Sequence, residues 1–206
     1  MHATKRFTLA FTAAGILAAC SPAADDPQDA FFATIQEYCG QAFAGEVTAG
    51  DEELDAEWMA SEIIVEIREC HDDRVRMPLH VGDDRSRTWV LSRTDLGLEL
   101  KHDHRLEDGS HDPITMYGGE TIVPGTATSQ SFPADEYSTR LFSENDMAVS
   151  MSNTWYLEFP EDEPQVLRYR LVRDDRNFQV DVDLSEPVEA PPAPWGWEDD
   201  YEYNYN

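Results

Sequence analysis

The sequence predicts a mainly β domain: an antiparallel meander, closed as a barrel or folded as a sandwich, with one N-terminal helix. Three observations carry this. Apolar residues recur at period two in many short segments, as a pleated strand facing a core requires. Turn-forming clusters such as Gly82-Asp83-Asp84, Glu107-Asp108-Gly109 and Asp174-Asp175-Arg176-Asn177 separate those segments by short intervals. One stripe near the start, Phe31, Phe32, Ile35, Tyr38, Cys39, Ala42 and Phe43, has helical spacing instead.

Taken in order, Asp26-Pro27 opens that helix, with Asp as the cap and Pro in the first turn, and Gly45 closes it. Val47 to Met59 is acidic and poorly patterned, which suits a loop with one helical turn. Glu62 to Cys70 reads as a strand because Ile63-Ile64-Val65 is β-branched, with a helix from Glu52 to Cys70 as the alternative, since Ala, Glu, Met and Trp suit helices. Val75, Met77, Leu79 and Val81 alternate in the next. A long hairpin follows, from Arg85 to Gly109, turning at Thr94-Asp95-Leu96-Gly97. Its first arm carries Trp89 and Leu91. Its second carries Leu98, Leu100, His102, His104 and Leu106 on one face, with Glu99, Lys101, Asp103, Arg105 and Glu107 on a solvated face. Short segments come next, separated by Gly118-Gly119 and Pro124-Gly125; Thr139–Phe142 and Met147–Met151 are weaker strands. Three clear strands end the domain: Trp155-Leu157-Phe159, Leu167-Tyr169-Leu171, and Phe178-Val180-Val182-Leu184. The domain therefore spans residues 27–187. Residues 188–206 are Pro-rich, acidic and aromatic without a period, the composition of a flexible tail.

The formal charge is −27. Such a surface repels nucleic acid and anionic headgroups, so no nucleic-acid partner is expected. The first 19 residues form a signal peptide: Lys5 and Arg6, then an apolar run from Phe7 to Ala19 too short to span a bilayer. Leu17-Ala18-Ala19-Cys20 resembles the lipobox of bacterial lipoprotein precursors. The resemblance implies cleavage before Cys20, acylation of its thiol and new amine, and residues 20–26 as a tether. Ser21 rather than Asp after the lipidated Cys implies outer-membrane placement facing the periplasm. Several acyl chains make a stable anchor, so the membrane is the first expected partner. In that oxidising compartment the remaining pair, Cys39 and Cys70, is most simply a disulfide.

His102 and His104 are the chemical oddity. If the strand stays regular they continue the inward face beyond Leu100, whereas a bulge would turn them outward. Two imidazoles at i and i+2 can share a divalent metal, with His80, His111, Asp108 or Asp112 as a third ligand. His80, opposite in phase to Met77 and Leu79, is expected to face outward. The plainer expectation is a pair of hydrogen-bonded histidines at a barrel rim. Arg87 and Arg93 share the phase of Trp89, so with the histidines they would line a pocket for an anionic ligand. At the strand ends they would pair instead with Asp83, Asp84 or Asp95. The chain has no G-x-S-x-G, H-E-x-x-H, Walker loop or G-x-G-x-x-G.

The segments HVGDDRSRTWVLSRT, GLELKHDHRLEDGSHD and TMYGG together resemble a family of uncharacterised bacterial secreted proteins and lipoproteins, over most of the mature domain. That resemblance implies no activity and no site. The meander is lipocalin-like by analogy of fold alone. The function expected is that of a lipid-anchored ligand-binding or envelope-accessory module with no catalytic residues and no cofactor. The alternatives are a metal-dependent enzyme using His102 and His104, and a structural lipoprotein that binds an envelope protein through its tail.

Overall fold

The computed structural model describes residues 26–197. The expected signal peptide, the expected lipidation site Cys20 and the end of the tail lie outside them. Helix α1 (Pro27–Gln36) precedes eleven strands: β1 (Gln41–Ala49), β2 (Ile63–Ile67), β3 (Glu69–Cys70), β4 (Arg74–Val81), β5 (Asp84–Thr94), β6 (Gly97–His104), β7 (Tyr117–Glu120), β8 (Ser129–Pro133), β9 (Thr154–Glu158), β10 (Val166–Arg173) and β11 (Arg176–Val188). Helix α2 (Ala56–Ala60) joins β1 to β2, and α3 (Glu136–Glu144) with a 3-10 turn (Ala148–Ser152) joins β8 to β9. All strand pairs are antiparallel, in the spatial order β7-β6-β5-β4-β2-β1-β11-β10-β9-β8, with β3 on β4. The sheet curls until β7 meets the end of β8, a nearly closed barrel.

Two glycines let β7 fit between β6 on one side and β8 on the other. A Cβ on Gly118 would lie 1.9 Å from the Leu100 carbonyl oxygen, and one on Gly119 would lie 1.8 Å from that of Pro133. Only glycine lets the backbones approach this closely. Across the seam the Asp135 N–H donates to the Gly118 carbonyl at 3.0 Å. The Ser138 hydroxyl accepts from the Gly118 N–H and donates to its carbonyl. The dipeptide expected to separate strands lies in the middle of strand β7.

Inside, one apolar cluster runs the length of the barrel, from Phe31 and Phe32 through Leu91, Leu100 and Val180 to Trp89 and Phe178. Burial of this area is the main stabilising term. Helix α1 starts as expected, with the Asp26 carboxylate accepting from the Gln28 N–H at 2.8 Å. It ends earlier than expected, at Gln36. Gly40 takes a positive φ of 78°, and Gln41 onward pairs with β2. Ala42 and Phe43 are buried from a strand, because an apolar pair followed by alternation suits either period. Phe31, Phe32 and Ile35 are fully buried, so α1 plugs one end of the barrel. Cys39 and Cys70 form the expected disulfide beside it, with Cα atoms 6.2 Å apart.

Three further expectations are corrected. Thr139–Phe142 lies in α3 and Ala148–Met151 in the 3-10 turn, so neither segment is a strand. Asp135 caps α3 by accepting from the Ser138 N–H at 2.7 Å, a local bond that outweighs a weak alternation. The start of the tail is not loose: β11 continues to Val188, and residues 189–197 cross the outer face of the sheet. There the Trp195 N–H donates to the Arg85 carbonyl, Arg85 donates back to Ala193, and Arg76 lies 4.2 Å from the centre of the buried Trp197 ring. The outward face of β4–β6 is therefore only partly solvated. His80, Thr88 and Asp103 all face outward yet are buried.

Candidate functional site

The two ends of the barrel differ. Opposite α1, the connections are long: 105–116 between β6 and β7, α2 between β1 and β2, and α3 with its 3-10 turn. His102 and His104 point inward at this end. β5 and β6 pair without a shift, Leu91 to Leu100, Trp89 to His102 and Arg87 to His104, so no bulge turns the imidazoles out.

His102 is buried in a tight set of bonds. Its Nδ1 is 3.1 Å from the Tyr117 carbonyl oxygen and its Nε2 is 2.9 Å from the Tyr169 hydroxyl. A carbonyl only accepts, so Nδ1 carries the proton and Nε2 accepts from Tyr169. The ring stacks on Tyr117 at 4.8 Å. Burial, then the nearby His104, push its pKa down to about 3, so it is neutral. His104 Nε2 meets the Tyr117 hydroxyl at 3.0 Å, and burial, then Arg87, lower its pKa to about 4. Burial raises the Tyr117 phenol to about 12 and places Tyr169 well above its ordinary value.

Around them is a cleft of about 150 Å³ walled by Trp58, Trp89, Tyr117, Tyr169, Leu171 and Phe178. Trp89 stacks on Tyr169 at 4.4 Å, and Trp58 meets Phe178 edge-on at 5.1 Å. The rim is polar. Arg176 makes a two-pronged bond to Asp55 at 2.5 and 2.6 Å. Arg87 bonds Asp84 and lies 5.0 Å from the Trp58 ring centre. Burial works against ionisation of Asp55, but the hydrogen bond from Arg176 and one from the Asp51 N–H hold its pKa below the usual range. The cleft opens into a mouth of about 520 Å³ that shares His104, Tyr117, Leu171 and Arg176 with it and adds Asp112, Asn153 and Arg173. A larger groove, about 700 Å³, lies on the outer face beside Glu46, Asp181 and Asp183, away from this chemistry.

The sequence-predicted residues divide. His102, His104 and Arg87 come together. Arg93 does not: six residues further along β5, roughly 20 Å away, it bonds Asp29 and covers Phe32 at the α1 end. The proposed third metal ligands fail on geometry. His111 is on the outer face with Asp103, 3.4 Å away, and His80 lies on the outer face of β4. Asp108 bonds Ser110 in an exposed turn. Asp112 reaches the mouth, but both nitrogens of His102 are already committed to protein partners. Among the described residues no three His, Cys, Asp or Glu converge as a metal site. Asp55, Trp58 and Arg176 were missed because contact between a short acidic connection and a hairpin turn leaves no periodic trace. Tyr169 had a signal, its place in the inward alternation of β10.

The chain matches no protein-family model, no curated protein and no solved structure. No helix among the described residues is long and apolar enough to cross a membrane.

Proposed function

We propose that this chain is an outer-membrane lipoprotein, held through acylated Cys20, whose periplasmic barrel binds a small ring-bearing ligand in the mouth at His104. The observation that carries the binding reading is the aromatic-walled cleft opening to solvent between Arg87, His104, Tyr117 and Arg176. Barrel mouths are common ligand sites, and a mostly apolar wall with a few convergent polar groups is their usual chemistry. Both arginines already have carboxylate partners, so the site favours a planar, weakly charged ligand over a multiply charged anion. The lipobox supports the envelope part of the reading.

Titration with indole and with benzoate, followed by isothermal calorimetry, tests it. A saturable change that weakens in Trp58→Ala is expected. If neither probe saturates, or Trp58→Ala binds both as well as the native chain, the mouth is not a ring-binding site.

A further inference from the structure

We infer that the α1 end of the barrel rests on the bilayer, through Leu96, Ile122 and Val123, and that the His104 mouth is thereby held facing away from the membrane. The inference rests on the lipid-anchor part of the proposed function.

The three aliphatic side chains are well exposed, at 78%, 79% and 55%. Leu96 tips the β5–β6 turn, and Ile122 and Val123 begin the β7–β8 connection. The two loops are tied together, since the Thr121 N–H donates to the Leu98 carbonyl at 2.8 Å and the Leu98 N–H donates to the Thr121 hydroxyl at 3.1 Å. The first turn of α1 joins them, with Gln28 Nε2 donating to the same hydroxyl at 2.8 Å. The chain therefore enters the fold beside this apolar tip.

From Cys20 to Asp26 is six residues, at most about 20 Å of extended chain. β5 alone, with eleven residues, spans roughly 35 Å. An acylated Cys20 would keep the α1 end within reach of the bilayer surface, and aliphatic side chains there gain by entering the interface. The mouth end also exposes apolar side chains, Leu54 and Val149 among them, so exposure alone does not orient the barrel. The point of chain entry does. Asp26, Asp29 and Asp95 around the tip favour zwitterionic over anionic headgroups.

The acylated full-length mature protein, reconstituted into vesicles of phosphatidylethanolamine and phosphatidylcholine, provides the test. Ile122→Cys and Val149→Cys would each carry an environment-sensitive fluorophore, with spin-labelled lipids as quencher. The expected result is a blue shift and quenching at 122, neither at 149, and a smaller effect at 122 when phosphatidylglycerol is added. Quenching at 149, alone or equally with 122, overturns the orientation. So does an unquenched 122 in protein that co-floats with vesicles, which leaves the anchor standing. Mass spectrometry showing no acyl chain on Cys20 removes the anchor, and the inference with it.

Discussion

At the α1 end of the barrel, Phe31, Phe32 and Ile35 enter a ring of inward aliphatic side chains and leave no access from solvent. At the other end the same strands point His102, His104, Tyr117 and Tyr169 inward, and the centre holds a cleft. The long strands β5, β6, β10 and β11 run from one end towards the other, so the difference lies in side-chain chemistry and in the connections. Apolar side chains close-pack without directional demands. Inward imidazoles and phenols need hydrogen-bond partners at fixed geometry, which spaces them apart. One end has the construction of a core and the other that of a polar-lined cleft.

Truncation at the closed end carries the largest expected effect. Phe32→Ala should cost about 3–5 kcal/mol, as for a buried phenylalanine whose surroundings collapse only partly. Urea unfolding would measure it. A loss under about 1 kcal/mol would mean α1 is a loosely held flap rather than a plug, and the contrast between the ends would fail.

The pH dependence of stability separates the ends next. His102, His104 and the outward-facing His80 have folded pKa values of about 3, about 4 and about 4, all below their ordinary value. For each, the unfolded chain binds more protons between the two values. Their contribution is therefore complete above about pH 6.5, declines as pH falls, and is lost by the folded pKa. Each group adds up to about 1.4 kcal/mol per pH unit within that window. Glu69, raised by burial, acts in the opposite sense as one group against three. Unfolding free energies between pH 4 and 7 should rise with pH. His104→Gln should flatten that slope, whereas Phe32→Ala should lower the curve without changing it. An unchanged slope in His104→Gln would show that this imidazole titrates normally in the folded state.

The smallest effect belongs to Tyr117→Phe. It removes the hydroxyl bonded to His104 while keeping the ring stacked on His102, and should cost about 1 kcal/mol. Its sharper readout is His104 itself, whose proton exchange and titration should change while those of His80 do not.

The features most legible in the sequence were those with a period. Leu98, Leu100, His102 and His104 at spacing two put both imidazoles inside provided the strand stays regular, and the unshifted β5–β6 register meets that condition. The disulfide and the start of α1 were also legible, from pairing logic and from Asp26-Pro27. What escaped lacks a period. Residues 189–197 bind through backbone bonds to Arg85 and through Trp197, which no alternation reveals. Phe43 fits a helical stripe and an inward strand equally well. Gly118-Gly119 resembles a break, but the seam needs the space that a side chain would fill. At the mouth, the Asp55–Arg176 pair joins positions 121 residues apart.

The central claim, that the His104 end is a ligand site and the α1 end is not, is tested most directly by imidazole nitrogen chemical shifts during titration with indole or benzoate. The account predicts saturable shifts at His104 with smaller ones at His102, and none at His71, which lies in the β3–β4 turn at the α1 end. Shifts confined to His71 or His80, or no saturable shift at any histidine, would contradict it.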